Sequence, residues 1–373
     1  MAESTPGPHQ GRRGRKAKKL KKGVVFGNAN AGKNMGRQQL FDAAMKIIHE
    51  ELGSASADGH HVRVKVHMTR SLEELGEAKE AAMREDPPDF AVVFGGDGTV
   101  QKTLGEDPVF LQYLTSDPEN ACEVVLIGTG SQIVIQKALN LLGGGDDDAI
   151  RLAFFRTVCQ KYARGIPRDT VCKPILRVNG RLGFIYASGV AVNVLADEYT
   201  RFEPGPRRVL KTGLGIIMRE TIGRLNPWRR PSIFRHFEAG VSWRDAERSM
   251  VDGPMREYNG FVASSLGEIN PWVKVTHRAG ERLGCFHGLG LNNGFFRTAL
   301  NLRAIIGGDP MIGDVHDMIT DRMVIRFTED RWHTIDGELY PLKDLGSPDG
   351  VLAGSPQGTV VIQTGPYIRF VIS

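Results

Sequence analysis

Apolar and polar positions along the chain fall into two regimes. In the first, short apolar runs alternate with stretches of helical spacing. Gly23-Val24-Val25-Phe26-Gly27 is an apolar run closed by glycine, which predicts a buried strand. Leu40, Ala43, Ala44, Ile47 and Ile48 follow at helix spacing, with Gly53 as a stop. Val62 to Val66 alternates like a second strand. Ser71 and Glu74 form a capping box ahead of a helix running through Met83, and Asp86-Pro87-Pro88 ends it. Phe90 to Phe94 and Glu123 to Ile127 predict two further strands. Strands alternating with helices imply an α/β domain built on a parallel sheet with helices on both faces.

The second regime is dominated by short strands. Pro174 to Val178 and Leu182 to Tyr186 flank Asn179-Gly180, a pair suited to a tight type I′ hairpin. Arg331 to Ile335 and Glu338 to Leu342 flank Asp336-Gly337 in the same way. Met323 to Phe327 and Thr359 to Gln363 read as additional strands, so a sandwich-like or α+β module is expected. Arg207 to Ile222 reads as a helix and Pro227 to Asn259 as irregular. The latter holds Trp228, Arg229, Arg230, Phe234, Arg235, His236, Phe237 and Trp243. Such a mixture suits a membrane interface or an acidic headgroup, and equally an insertion packing its own aromatics on the sandwich.

Length sharpens this picture. At roughly 100–200 residues per domain, 373 residues suggest two. The expected division is a basic arm over 1–22, a nucleotide-binding domain over 23–165 and a β-sandwich domain over 166–373, with the C-terminal segment able to pack back on the first domain. With 41% hydrophobic and 24% charged residues, disordered, collagenous, coiled-coil and membrane-spanning classes are excluded. Cys122, Cys159, Cys172 and Cys285 form no CxxC pair, and the expectation is free thiols in a reducing cytosol. No apolar segment follows the basic N-terminus, so no secretory signal peptide is expected. Arg12, Arg13, Arg15, Lys16, Lys18, Lys19, Lys21 and Lys22 form an acid-free run in a net charge of +5. Such an arm attracts anionic surfaces, nucleic acid or acidic lipid, or is a solvated tail.

Candidate chemistry gathers where the predicted strands end, the edge at which ligands bind such sheets. The first strand ends in Gly27-Asn28-Ala29-Asn30-Ala31-Gly32 and the second in Thr69. The third ends in Gly95-Gly96-Asp97-Gly98-Thr99 and the fourth in Gly128-Thr129-Gly130. Glycines at a strand-to-helix turn let the backbone approach a phosphate, and the exposed N–H groups and helix dipole favour the anion. Asp97 is out of place in an anion cradle unless a cation or proton transfer compensates, or unless it caps the helix.

Phe94 to Val100 resembles the nucleotide-binding signature of the diacylglycerol kinase catalytic family. That family includes bacterial lipid kinases, sphingosine kinases and ceramide kinases, and is distantly related to NAD kinases. Asn28-Ala29-Asn30-Ala31-Gly32 resembles its Asn-Pro-x-Ala-Gly loop, with Ala29 replacing proline. Gly128-Thr129-Gly130 and Asp336-Gly337-Glu338 resemble its Gly-Thr-Gly-Asn and Asp-Gly-Glu elements. The resemblance implies ATP and Mg2+ between the two domains, with Asn28, Ala31, Gly32, Thr69, Gly95, Gly96, Asp97, Gly98, Thr99, Gly128 and Thr129 holding the nucleotide. It makes Glu338 the candidate base, with Asp97 as its competitor and Asp336 beside it in the catalytic set, and Asp314 and Asp317 candidate magnesium ligands. The hairpin turn alone explains Asp336 and Gly337 but not Glu338.

Three positions depart from the family pattern. Gln101 and Lys102 stand where the family carries Asn-Glu, Ser131 and Gln132 where it carries Asn-Asp, and Phe295-Phe296-Arg297 follows Asn293-Gly294 in place of a glycine-rich run. The implied activity is an ATP-dependent lipid kinase acting on a diacylglycerol-like or sphingoid hydroxyl. It would be cytoplasmic and peripheral to an anionic membrane, with a lipid and not nucleic acid as partner. A soluble NAD-kinase-like enzyme and a non-catalytic nucleotide- or lipid-binding module are the alternatives.

Overall fold

The computed structural model describes residues 20–29, 35–53, 62–85, 87–105, 108–115, 122–128, 135, 147–190, 192–193, 235–268, 274–293, 297, 300–301, 304, 307–345 and 358–372. The basic arm up to Lys19, the predicted helix from Arg207 and the Trp228–Phe234 cluster lie outside them.

The first half follows the predicted alternation. Strands β1 (Lys21–Asn28), β2 (Val62–Thr69), β3 (Phe90–Gly95) and β4 (Glu123–Gly128) are interleaved with helices α1 (Met35–Leu52), α2 (Leu72–Glu85), α3 (Asp97–Gly105) and α4 (Pro108–Thr115). Helix α5 (Asp148–Arg164) follows. The four strands pair in parallel in the order β4-β3-β1-β2. The predicted capping box is realised at α2: the Glu74 amide donates to Ser71 Oγ at 3.2 Å, and the Glu74 carboxylate reaches back to the Arg70 amide at 2.6 Å. Successive strand residues part company, as the period of two requires. Val24, Phe26, Ala91, Val93, Val124 and Leu126 join a core with Leu75, Val100, Leu104 and Phe110. Val25, Val92, Phe94, Val125 and Ile127 join another with Ala44, Ile47, Phe155 and Val158.

The second half adds β5 (Thr170–Val178), β6 (Arg181–Gly183), β7 (Ile185–Gly189), β8 (Phe237–Arg244), β9 (Met250–Asp252), β10 (Arg256–Tyr258), β11 (Gly260–Ser264), β12 (Phe286–Leu291), β13 (Val315–Thr320), β14 (Arg322–Phe327), β15 (Trp332–Ile335), β16 (Glu338–Pro341) and β17 (Thr359–Val371). The expected parallel sheet is present as part of a larger one, and the C-terminal segment packs back on it, as the sequence allowed. The parallel strands are one wing of an 11-stranded mixed sheet, ordered β10-β8-β14-β17-β4-β3-β1-β2 with β5, β6 and β9 attached. A 6-stranded sheet, β13-β12-β11-β7-β15-β16, stands apart from it. Apolar side chains of both sheets, including Tyr186, Phe261 and Phe286 from one and Val241, Ile325 and Ile362 from the other, meet in a common core.

The difference comes from β17. The sequence reading ends this strand at Gln363, short of Gly365-Pro366. The chain instead absorbs that pair as an irregularity between Thr364 and Tyr367 and continues to Val371. Its early part pairs antiparallel with β14, and its end pairs parallel with β4 through Arg369 and Phe370. Three smaller corrections follow. The first strand begins at Lys21 rather than Gly23, so the last two lysines of the basic run belong to it. The predicted second arm of the Asn179-Gly180 hairpin is cut at Gly183; the chain crosses at Phe184 into the other sheet. Within the stretch expected to be irregular, β8, β9 and β10 are strands. The alternation Phe237, Ala239, Val241 inward was present, but obscured by neighbouring arginines and tryptophans.

Asn179 (φ 47°) and Gly180 (φ 86°) adopt the left-handed angles of a type I′ turn. Asn179 is also buried: its Nδ2 donates to the Thr359 carbonyl at 3.1 Å and its Oδ1 accepts from the Val361 amide at 2.7 Å. Asn179→Ala is expected to cost about 2–6 kcal/mol in chemical denaturation, since it removes two buried hydrogen bonds to backbone groups at roughly 1–3 kcal/mol each. Asn179→Asp, which keeps the acceptor, should cost less.

Candidate active site

The Gly95–Thr99 loop joins β3 to α3, as the apolar run followed by glycines predicts. Gly95 closes against the Thr99 side chain, which a Cβ at Gly95 would strike. The Val100 amide donates to the Gly96 carbonyl at 3.0 Å, starting the helix. Asn28, at the end of the neighbouring strand β1, donates from Nδ2 to Thr99 Oγ1 at 3.2 Å. Thr69 is buried and its hydroxyl donates to the Gly27 carbonyl at 3.2 Å, while the Ala29 amide donates to the Thr69 carbonyl at 2.9 Å. The structure therefore brings Asn28, Thr69, Gly95, Gly96, Asp97, Gly98 and Thr99 to the carboxyl edge of adjacent parallel strands, with Gly128 closing β4 beside them. Ala31, Gly32, Thr129, Ser131 and Gln132 lie outside the described residues.

Across from this loop stands the turn between β15 and β16. Asp336 (φ 50°) and Gly337 (φ 89°) make a second type I′ turn, which aims Glu338 at α3. The Glu338 carboxylate lies against Gly98, on the space a side chain at that position would need. Gly98 is thus the residue that permits two distant parts of the sequence to touch.

Asp336 faces inward and is buried. Its Oδ1 accepts from the Phe184 amide at 2.9 Å and the Ile185 amide at 2.8 Å, and its Oδ2 from Phe184 at 3.1 Å. Burial pushes its carboxyl up to about 8; the negative charge of Asp97 adds to this, and the two backbone donors oppose it. Asp97, at the first helical position of α3, is 4% exposed and accepts the Ile135 amide at 3.1 Å. Two buried carboxyls thus face one another across the junction of loop and turn, with the half-buried Glu338 beside them.

Gln101 and Lys102 occupy the body of α3 rather than its N-terminus. Gln101 is buried and donates from Nε2 to the Leu182 carbonyl at 3.2 Å. Lys102 lies in the last turn, about 7 Å along the axis from Asp97 at 1.5 Å per residue. Its carbonyl accepts Lys79 Nζ at 2.9 Å.

Asp314 and Asp317 are placed elsewhere. They sit before and within β13, at the opposite edge of the 6-stranded sheet from β15 and β16. Asp314 pairs with Arg256 at 3.0 Å and accepts Asn292 Nδ2 at 3.0 Å. Asp317 pairs with Arg278 at 2.6 Å and contacts His287 Nε2 at 3.1 Å. Among the described residues no group of His, Cys, Asp and Glu is arranged to hold a metal. The anchoring amides of Phe184 and Ile185 were invisible in the sequence, because backbone donors carry no side-chain signature.

No family model matches the sequence, and no curated protein does. Solved structures do. One, described as a diacylglycerol kinase from Bacillus anthracis, superposes with a TM-score of 0.53 at 11% identity, covering 95% of this chain and 98% of that one. A second from the same organism, described as "a putative diacylglycerol kinase", gives 0.56 at 12% identity over 96% and 98%. The chain shares their fold. A third, described likewise, gives 0.55 at 12% identity over 95% and 98%. With about 95% of the chain covered, the likeness spans both sheets.

Asp336 gives the fold a pH signature. Its carboxyl is raised from the ordinary 3.8 to about 8, so the folded state binds its proton more tightly than the unfolded state does. Its contribution to stability is full below the ordinary carboxyl range and is lost as the pH climbs to about 8. Denaturation of wild type and Asp336→Asn between pH 4 and 8 should show a falling stability in the first and a flatter profile in the second. Equal slopes would place Asp336 in the ordinary range.

Proposed function

We propose that this chain is an ATP-dependent lipid kinase that transfers the γ-phosphoryl group to a hydroxyl of a diacylglycerol-like or sphingoid lipid. One observation carries the reading: the Glu338 carboxylate rests on Gly98 of a glycine-rich loop at a helix N-terminus. That loop offers backbone N–H groups and a positive helix end to phosphates, and the carboxylate beside it can take a proton from an attacking hydroxyl.

The residues fit a nucleotide. Thr99 and Asn28 present polar groups at the same edge as the Gly95–Thr99 loop, and Glu338 stands over Gly98. ATP supplies the transferable phosphoryl group; the protein supplies position and electrostatics, which dominate such reactions. Glu338 accepts the acceptor hydroxyl's proton. Asp336 holds the turn through Phe184 and Ile185, so that Glu338 is presented at a fixed height over the loop. Asp314 and Asp317 do not fit a magnesium site here, because an arginine already neutralises each, and no step is derived through that ion.

Association with a membrane is peripheral in this reading. No helix among the described residues is long and apolar enough to cross a bilayer. The basic residues of the arm would dock the enzyme on anionic lipid, within about a Debye length, ~8 Å at physiological salt.

Incubation of the purified protein with labelled ATP and a panel of neutral lipids tests the activity. Labelled phospholipid is the expected product; phosphorylated NAD without labelled lipid would move the protein to the soluble kinase class, and neither product would leave a binding module. Glu338→Gln should lower turnover by roughly 10²–10⁴-fold with ATP affinity near wild type, whereas Asp97→Asn should also weaken nucleotide binding. Normal turnover in Glu338→Gln would make Glu338 a hairpin residue only.

Removal of residues 1–19, stopping short of β1, should leave ATP binding intact. It should weaken binding to vesicles containing anionic phospholipid and flatten its salt dependence. Unchanged vesicle binding would exclude the arm as the docking element.

A further inference from the structure

We infer that Gln101 is a positioning residue, whose side-chain bond to Leu182 holds the Glu338 turn against the Gly95–Thr99 loop. The inference rests on the kinase reading for its consequence, but not for its geometry.

Gln101 lies one helical turn after Asp97, on the face of α3 that meets β6. Neighbours Val100 and Leu104 are buried and apolar, and Gln101 itself is 6% exposed. Its Nε2 donates to the Leu182 carbonyl at 3.2 Å, while its Oε1 is buried without a partner among the described residues. An amide with half of its hydrogen-bonding capacity stranded in the interior is a poor choice for stability, where an apolar residue of equal volume would avoid the penalty. Retaining it makes sense if the bond to Leu182 has a task.

The path beyond Leu182 shows the task. Gly183 packs so closely on Ile335 and Asp336 that a Cβ there would strike both. Next in sequence, the Phe184 and Ile185 amides donate to the Asp336 carboxyl, and the Asp336 amide donates back to the Ile185 carbonyl at 2.9 Å. Asp336 leads through Gly337 to Glu338, and Glu338 returns to Gly98 on α3. The result is a closed ring: α3, Gln101, Leu182, the Gly183–Ile185 segment, Asp336, Glu338, α3. Gln101 is the side chain that bonds α3 to the β6 strand of this ring. Without it, the ring loses its side-chain hydrogen bond between α3 and β6, and the Asp336–Glu338 turn is held less firmly against the loop. A displacement of about 1 Å of a reacting group can cost on the order of 10²-fold in rate.

The test uses the full chain with two substitutions. Gln101→Met keeps the volume and removes the donor; Gln101→Asn keeps the amide and shortens its reach by one methylene. The first readout is backbone hydrogen exchange, which needs no substrate. Peptides covering residues 181–186 and 332–341 should exchange at least about tenfold faster in both variants, with 286–291 unchanged. The second readout is kinetic, on whichever lipid the wild type phosphorylates. The kcat should fall roughly 10–100-fold while the KM for ATP stays within about twofold. Unchanged exchange in both segments, or a uniform rise across the whole protein, would overturn the inference. So would a loss of activity expressed wholly in the KM for ATP. If Gln101→Met does not fold, Gln101→Asn decides. If the wild type phosphorylates no lipid, the kinase reading falls, and the exchange result alone settles whether Gln101 holds the turn.

Discussion

The arrangement of this protein depends on one strand. β17 is bonded to β14 and β5 in its first part and to β5 and β4 in its last, so the C-terminus of the chain is a structural member of its N-terminal half. Backbone ladders are directional and set spacing to within an ångström or so, unlike apolar contact, which tolerates sliding. That ladder ties β5 and β6 to the strands that carry the Gly95–Thr99 loop, and the β15–β16 turn is joined to them through the Phe184 and Ile185 amides that Asp336 accepts. Two domains joined only by a linker would be expected to move against each other. The Gly365-Pro366 irregularity is compatible with this role. Proline cannot donate to a ladder, and a local irregularity lets the strand continue without that bond.

Within that frame, charge is handled by depth. Asp97 and Asp336 are both nearly inaccessible, and each accepts hydrogen bonds from backbone amides. A buried carboxyl beside another resists ionisation. Glu338, half-buried and next to Gly98, is the most exposed of the three. Asp314 and Asp317 show the opposite treatment, with an arginine against each at the far edge of the other sheet. The two acidic groups thus differ in environment: the first is set among backbone amides, and the second is spent on ion pairs.

Much of this was legible in the sequence because the signals are local. Apolar runs gave β1, β3 and β4, and the residues Ser71 and Glu74 gave the start of α2. The pairs Asn179-Gly180 and Asp336-Gly337 gave both type I′ turns, because only a few residue types tolerate those angles. What could not be read is non-local. Nothing in Thr359 to Val371 says that its end lies parallel to β4, since register across a long loop is set by the whole core. Phe184 reads as one more strand residue and is in fact the point where the chain leaves one sheet for the other. β8 was hidden in a segment whose arginines and tryptophans drew attention from its alternation. The candidate residues at the ends of the parallel strands were found because glycine at a strand-to-helix turn has a local cause. The pairing of Asp314 and Asp317 with arginines has none.

Gln101 shows how far a departure from a motif can mislead. By sequence it is a missing asparagine and reads as decay of a nucleotide site. In the structure the position points away from the loop's anion-facing end and toward β6, so the residue there is chosen by the distance from α3 to the Leu182 carbonyl. Lys102 lies in the last turn of α3, where a positive charge is favourable to the helix dipole. Both substitutions fall on parts of the helix that govern how it packs and ends. The N-terminal turn, where phosphates would be met, keeps Gly95, Gly96, Asp97, Gly98 and Thr99 intact. Gly98 is held by the nearness of Glu338, whose carboxylate fills the space that a side chain there would need, and by nothing in the helix itself.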